Sequence, residues 1–481
     1  MRRQAFCVHG HFYQPPRENP FTGKIPFEPG AAPFVNWNEK IYHQCYKPNA
    51  EQGNFGRISF DLGPTLAVWM EENHPDTLQK IVDQENEFYR NHGVPNAMAQ
   101  SYNHTILPLA SDEDKITQIK WGIADFVARF GHEPLGLWAP ETAINMQTLE
   151  TMADCGIKYT ILAPWQSAVR KDLDKSRPYW VELSGNKKIA VFFYDDFTSM
   201  RVSFIPQATE NADRFIKNEL TPLYPADSRR ERYFVVASDG ELYGHHQPLR
   251  DYFLTWLTTG ALKNSAIENI MPAVWLNSYP PDRTIRILNN SSWSCHHGIK
   301  RWSTVFGCCE HGEWKAPLLR AFEKIAVIVD SEMQQILSPY GIDLLPFRNE
   351  YATVLTKQET PDQLVDRVIG TNLTPEQRQK ITLMMAAQYE RQRMFTSCGW
   401  FFGDFDRIEP MNNIQYSAKA IDLTERATGK EFQKMVSKML SRAESWQSGL
   451  KASVVFNNAF LRHEETNPKE SDTVESELSQ Q

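Results

Sequence analysis

Four short apolar runs in this chain end in polar residues that packing alone does not require. Ala5–Val8 leads into His9-Gly10-His11-Phe12-Tyr13-Gln14-Pro15, and Ala97–Ser101 leads into Tyr102-Asn103-His104. Gly136–Ala139 leads into Pro140-Glu141, and Tyr233–Ala237 into Ser238-Asp239-Gly240-Glu241. A lone carboxylate after a strand can serve a nearby helix dipole, and an Asp-Gly pair is a common turn. Two carboxylates at neighbouring strand ends, flanked by aromatic rings, are also the minimum equipment for glycoside hydrolysis. One attacks or stabilises the anomeric carbon and the other protonates the leaving oxygen. Their surroundings must differ, because a carboxyl hemmed in by rings or by another carboxylate holds its proton to higher pH than one held by donors. Glu141 and Asp239 are the candidate pair. Glu241, His245 and His246 crowd the same segment more densely than a turn requires.

Other residues could shape a pocket around this pair. Trp138 stands three positions before Glu141 and could wall a sugar pocket as well as fill core, since Trp is rarely fully buried. Trp293 and Trp302 lie in the polar aromatic stretch 291–302, which reads as a loop over a cleft. Gln14 closes the first motif, and His104 either satisfies a buried backbone carbonyl or meets a substrate hydroxyl. A rival chemistry uses the same positions: His9-x-His11 with Asp239 and His245-His246 could ligate zinc, as a metal-dependent sugar hydrolase or deacetylase requires. Cys295, His296, His297, Cys308, Cys309 and His311 form a second ligand-rich group, without C-x2-C spacing. The chain has no H-E-x-x-H, no G-x-S-x-G and no G-x-x-x-x-G-K-[ST], which removes the zincin, serine-hydrolase and P-loop readings.

The elements that must position these residues alternate strand and helix up to about residue 310. That alternation is the pattern of a parallel α/β fold. Gly136–Ala139, a helix over Ala143–Cys155 closed by Gly156, and a strand over Ile157–Ala163 make one βαβ unit. Ile189–Tyr194 is a further strand. Ser111 caps a helix that carries Ile116, Ile119, Ile123, Phe126, Val127 and Phe130 on one face and ends at Gly131. In a parallel barrel the C-terminal strand ends converge on one face, where the active site lies. From residue 311 to about 460 the pattern becomes helical. Leu318, Leu319, Phe322, Ile325 and Ile328 recur at helical spacing, Thr374-Pro375-Glu376-Gln377 is a capping box, and helices are expected over 411–428 and 430–447. Residues 461–481 form an acidic tail too polar to order itself.

The chain has 481 residues, 51 basic and 59 acidic, for a formal charge of −8. No basic stripe marks a nucleic-acid partner, and no apolar run approaches a membrane span. Met1–Gly10 lacks the apolar core of a signal peptide, and seven cysteines are an odd number for a disulfide framework. The expectation is a soluble cytoplasmic protein with reduced thiols. The 13 Trp, 17 Tyr and 27 Phe supply rings for core and for stacking on sugar faces.

Taken in order, His9-Gly10-His11 with Gln14-Pro15, then Trp138-Ala139-Pro140-Glu141, then Asp239-Gly240-Glu241-Leu242-Tyr243-Gly244-His245 resemble conserved regions of glycoside hydrolase family 57. The segment Met394–Phe402 is similar to part of a C-terminal region of unknown function in an uncharacterised branch of that family. The resemblance covers residues 1–310 through its motifs. It implies a (β/α)7-type barrel followed by a helical domain. It also implies retaining hydrolysis or glycan transfer on α-linked glucan without a cofactor. Glu141 would be the nucleophile and Asp239 the general acid/base, with His9, His11, Glu241 and His245 lining the subsite around the cleaved bond. A retaining pair stands about 5–5.5 Å apart. The first motif departs from the family by carrying Phe12-Tyr13 between the second His and Gln14-Pro15. A zinc-dependent hydrolase and a catalytically silent glycan-binding protein stay as alternatives, and the oligomeric state is left open.

Overall fold

Side chains alternate along a strand, so each strand end delivers every second residue to the barrel interior. In a computed structural model, which describes residues 3–169, 171–225, 230–304 and 311–466, the chain forms nine strands. They are β1 (Gln4–Phe12), β2 (Ser59–Leu62), β3 (Ala97–Gln100), β4 (Leu137–Trp138), β5 (Tyr159–Leu162), β6 (Tyr179–Glu182), β7 (Lys188–Phe193), β8 (Arg232–Asp239) and β9 (Glu268–Asn269). One sheet runs β4-β3-β2-β1-β8, with β9 also on β1, and a second runs β5-β7-β6. Only the β6–β7 pairing is antiparallel. A parallel bridge between Gly136 and Tyr159 joins the β4 side to β5, and the Asp195 amide donates to the Val235 carbonyl at 2.7 Å to join β7 to β8. Seven parallel strands thus follow one another in the α/β barrel arrangement that the sequence implied.

The chain divides into two compact units. The first holds residues up to Pro16, Phe27–Lys300 and the short segment Leu355–Gln358; the second holds Arg17–Pro26, Arg301–Val354 and the chain from Glu359 onward. In the first unit the interior is apolar at the N-terminal strand ends and polar at the others. Ala5 and Cys7 of β1 precede His9 and His11 on the same face, and Tyr233, Val235 and Ala237 of β8 precede Asp239. Register then sets neighbours: His9 lies beside Ser59, and His11 lies between Asp61 and Asp239. Gly10 faces the other way, where an added Cβ would lie 2.8 Å from Phe12, and one on Gly240 would lie 2.4 Å from the same ring. Small residues there let Phe12 pack beneath the rim.

Several local expectations hold. The Ser111 hydroxyl accepts from the Asp114 amide at 3.1 Å, and the helix Asp112–Phe130 ends on left-handed Gly131. The βαβ helix is shorter than its apolar spacing suggested, Met146–Asp154, because Asn145 is its N-cap and the preceding residues turn at Glu141. In the second unit the helices Lys315–Leu337, Pro375–Arg393, Ile408–Thr428, Gln433–Leu440 and Ala452–Thr466 dominate. Thr374 and Gln377 make the reciprocal capping bonds at 2.9 and 3.2 Å. The helix expected over 430–447 stops at Leu440, beyond which the chain folds back through a Glu444–Lys451 bridge and Ser445 hydrogen-bonds Asp404 and Asp406. The expected acidic tail begins within the last helix, and 467–481 lies outside the described residues.

Candidate active site

Asp61, at the end of β2, is the centre of the strand-end cluster and is fully buried. Its Oδ1 accepts from His9 Nε2 at 3.1 Å, and its Oδ2 accepts from His11 Nδ1 at 2.8 Å and from Gln100 Nε2 at 2.6 Å. The other nitrogen of His9 lies 2.9 Å from Ser59 Oγ. His11 Nε2 faces His104 Nε2 at 3.2 Å, where one ring must donate and the other accept. Burial holds His9 low, and burial together with the His11 charge holds His104 well below the usual histidine range. Burial also acts to lower His11, but Asp61, with Asp239 and Glu241 adding, outweighs it and carries that pKa up to about 9. Asp61 is correspondingly lowered: the His11 charge and hydrogen bonds overcome its burial. One consistent proton arrangement follows, with His9 and His104 neutral and His11 an imidazolium that donates to both Asp61 and His104.

Rings enclose this cation. Trp138, with no exposed surface, stacks on His9 at 4.6 Å and His11 at 5.5 Å between ring centroids, and meets Trp293 edge-on at 5.1 Å. Tyr13 stacks on His104 at 3.7 Å. Trp138 is therefore both core and floor of the rim.

Glu141 sits just beyond β4 in a left-handed conformation, φ 57°, and Thr142 follows at φ 47°. Such backbone costs about 1–3 kcal/mol per residue and persists where its surroundings hold it. Gln166 does so, accepting from the Thr142 hydroxyl and donating to the Thr142 carbonyl, both at 2.8 Å. The turn lifts the Glu141 carboxylate to the loop carrying Trp293 and Ser294. Trp293 Nε1 donates to Oε2 at 3.1 Å and Ser294 Oγ to the same oxygen at 2.8 Å, while Oε1 takes no hydrogen bond among the described residues. Burial raises the Glu141 pKa and the Asp239 charge adds to the rise, against the two donors and His11. Asp239 is exposed at the end of β8.

Glu241 is buried. Its Oε1 accepts from the Tyr46 hydroxyl at 2.7 Å and the Tyr13 amide at 3.1 Å. Burial, with Asp239 adding, pushes its pKa up to about 7 against the Tyr46 bond. Gln14 is buried beside Tyr46, and its carbonyl accepts from Thr65 at 2.6 Å.

Two further expected site residues make other contacts. His245 Nδ1 bonds Gln44 Oε1 at 2.7 Å, with Trp37 and His246 as ring neighbours, and burial lowers its pKa to about 4. Trp302 is 1% exposed, belongs to the second unit and packs on Phe401. Of the cysteine and histidine group, Cys295 lies 4.0 Å from His297 Nδ1, His311 stacks on Trp446, and Cys308 and Cys309 fall outside the described residues. Among the described residues no three His, Cys, Asp or Glu side chains converge as cation ligands. His9 and His11 turn their nitrogens onto Asp61 instead.

Ser59, Asp61, Gln100, Tyr46 and Ser294 were not singled out from sequence. For Asp61 a signal existed: Ile58-Ser59-Phe60-Asp61-Leu62 is a short alternating run closed by Gly63-Pro64, with a carboxylate near its end as in the runs that lead to Glu141 and Asp239.

Residues 12–287, more than half of the chain, match the family model for Glycosyl hydrolase family 57. The chain belongs to glycosyl hydrolase family 57. Residues 311–462 match a separate domain of unknown function, DUF3536. Among similar proteins, Alpha-amylase 1 of Dictyoglomus thermophilum is 27% identical over 189 residues, 39% of this chain and 25% of that protein. A 4-alpha-glucanotransferase of Thermococcus kodakarensis is 23% identical over 216 residues, 43% of this chain and 30% of that protein. The chain thus aligns with about a quarter to a third of the length of these curated relatives. In fold, an exo-type maltose-forming amylase from Pyrococcus sp. ST04 superposes with a TM-score of 0.75 at 16% identity, over 95% of this chain and 88% of that one. A GH57-type branching enzyme from Pyrococcus horikoshii gives 0.63 at 15% identity, over 94% and 96%. No helix among the described residues of this family 57 chain is long and apolar enough to cross a membrane.

Proposed function

We propose that this chain is a retaining glycoside hydrolase or glycosyl-transferring enzyme acting on α-linked glucan, with Glu141 as nucleophile and Asp239 as general acid and base. The observation that carries the reading is the Glu141 carboxylate. Two donors hold one oxygen, the other is free, and an exposed Asp239 is near enough to raise its pKa. Family membership and the glucan-active names of the relatives support the substrate class.

In the first step Oε1 of Glu141 attacks the anomeric carbon, the bond to the leaving oxygen breaks, and that oxygen takes the proton of Asp239. A protonated Asp239 is neutral, so the repulsion that raises Glu141 is relieved and Glu141 stays anionic for attack. In the second step the Asp239 carboxylate takes a proton from water or from a sugar hydroxyl, whose oxygen then displaces Glu141 from the anomeric carbon. The His11 imidazolium favours the ionised nucleophile. Trp293, bonded to Glu141 and edge-on to His11, walls the position of the sugar ring. Gln14, His9, His104, Trp138 and Glu241 support or line that position.

The test is incubation with a panel of α-glucans and oligosaccharides, with products resolved by chain length and anomeric configuration. Shorter products mark hydrolysis and redistributed lengths mark transfer, both with retained configuration. E141Q should be folded and inactive, and E141A with azide should release a glycosyl azide of inverted configuration. Full activity in E141Q removes Glu141 as nucleophile. Binding of glucan without turnover would instead make the chain a glycan-binding protein, and chelator-sensitive turnover with stoichiometric zinc would make it a metal hydrolase.

A further inference from the structure

Two helices of the first unit expose large apolar side chains along matched stripes. Asp196–Phe204 presents Phe197, Met200 and Phe204, and the segment through Arg250–Trp256 presents Leu249, Tyr252 and Trp256. Phe197, Met200 and Phe204 follow i, i+3, i+7 spacing on one helical face, and Tyr252 and Trp256 follow i, i+4, with Leu249 at the residue just before their helix. Phe204 is 75% exposed, Leu249 67% and Tyr252 62%. The stripes are tied together. Gln247 Nε2 donates to the carbonyls of Val202 and Ser203 at 3.2 Å, Arg250 reaches the Pro206 carbonyl at 2.9 Å, and Trp256 Nε1 bonds Asp213 at 3.0 Å.

This surface departs from what a free face tolerates in two independent ways. Leu249 has φ 67°, a left-handed conformation that glycine or asparagine adopts at less cost, yet it holds an apolar side chain in the open. With rings of ~150–250 Å² each, the four aromatics plus Leu249 and Met200 expose about 700 Å². The largest patch on a monomer is ~300–600 Å², and a standard interface covers ~800 Å² per partner.

We propose that this two-helix face is the interface of a symmetric dimer of this chain. The area matches one side of a stable two-fold interface, and charge favours a like partner. Arg201 is paired with Glu219 at 2.6 and 2.7 Å, Arg250 is spent on Thr209 and Pro206, and Asp213 holds Trp256. The charges left beside the stripes are of both signs, because Arg250 and Asp213 bond only neutral groups, so no single sign selects an oppositely charged partner and a two-fold contact can set Arg250 of one copy against Asp213 of the other. An apolar patch bordered by both signs is complementary to itself, as a two-fold contact requires. Two stripes from each copy would interleave as four helices, with Phe204 and Tyr252 near the axis.

Sedimentation equilibrium on the full chain between 1 and 50 μM reads the result directly. The wild type should sediment at twice the mass of one chain. F204D and Y252D, at exposed positions outside the proposed catalytic machinery, should keep the wild-type circular dichroism and glucan turnover per chain while weakening dimerisation by at least about 30-fold each. If F204D does not fold, Y252D and F197D carry the same test. A wild type that stays monomeric at 50 μM overturns the proposal, as does a dimer that neither charge weakens. A monomer whose retention on immobilised amylose is lost in Y252D also overturns it and assigns the face to glycan.

Discussion

Replacing Asp61 with Asn keeps the side-chain volume and one acceptor but removes the charge that holds His11 protonated. Without that charge burial prevails, and the His11 pKa falls from about 9 to below the ordinary value near 6.5. At pH 7 the wild-type ring is about 99% cationic, and in D61N it is mostly neutral. The lost cation acts on Glu141. His11 lies 6.2 Å from the Trp293 ring, whose Nε1 is 3.1 Å from Glu141, so the two groups are on the order of 10 Å apart. A unit charge at ~10 Å and an effective dielectric near 40 is worth about 0.8 kcal/mol, or ~0.6 pH unit. Removing a cation raises a carboxyl pKa, and the Asp61 anion lost with it offsets part of the rise, so the acid limb of kcat/KM should move to higher pH by at most about that amount. The released imidazoles should also cost about 10–100-fold in kcat, with KM little changed, as loss of an orienting partner does at other sites. Initial rates on a maltooligosaccharide from pH 4 to 9 give the limb, and 15N-histidine NMR follows the ring itself. An unmoved acid limb together with a His11 ring still titrating near 9 in D61N would refute the reasoning. The NMR arm needs no substrate, so it separates a failure of this argument from a failure of the glucan assignment.

Three further outcomes are expected. S294A removes one of two donors to Glu141 Oε2, a hydrogen bond to a charged group worth about 1.5–3 kcal/mol, so the acid limb should rise by about a unit and kcat should fall tenfold or more; an unchanged pH profile would count against Glu141 as the ionising group. W138A should destabilise the barrel by about 3–5 kcal/mol in denaturant titration and abolish turnover, whereas W302A should cost stability but leave KM for glucan unaltered. Stability should also depend on pH through His11. Its folded pKa lies above its unfolded one, so its contribution is complete below about pH 6.5 and is lost as pH rises through about 9, a slope that denaturant midpoints should show in wild type and not in D61N.

The sequence was legible where a strand's alternation ran long enough to be seen. Ala5–Val8 and Tyr233–Ala237 each continue into residues that the same period of two places on the rim, which is why His9, His11 and Asp239 could be picked out together. β2 alternates Ser-Phe-Asp-Leu, a pattern that suits a solvent-facing polar side equally well, so spacing alone does not place Asp61 in the interior, although it organises both histidines. Trp302 shows a different limit. Its stretch is continuous in sequence with Trp293, but the division between the compact units falls after Lys300, and spacing along the chain carries no sign of that. Ser294 illustrates a third: the donor to Glu141 stands 153 positions away on a loop whose course depends on Gln166, Ser291 and a strained turn. Capping and periodicity are local, and such closure is not.

The charges on the rim also constrain how the site can work. Asp61, Glu141, Asp239 and Glu241 are gathered around one imidazolium, and Asp61 already balances it. Three carboxyl groups then share little compensating charge, in a setting where burial disfavours each anion that is enclosed. The outcome is visible in the direction of the shifts, with Glu141 raised and Glu241 raised to about 7. Such a cluster titrates as a set, so a proton held on one member lowers the cost of ionising its neighbour. Glu241 is held by the Tyr46 hydroxyl and the Tyr13 amide, so near neutral pH it can hold a proton in place of Glu141. That leaves Glu141 to ionise against Ser294 and Trp293. E241Q, which fixes that site as neutral, should therefore retain an ionised Glu141 and lower the pH of the acid limb. D239N should do the same to the limb while removing the proton donor. If E241Q instead moved the limb upward, the three carboxyl groups would not be coupled through charge, and the division of roles between Glu141 and Asp239 would need another physical basis.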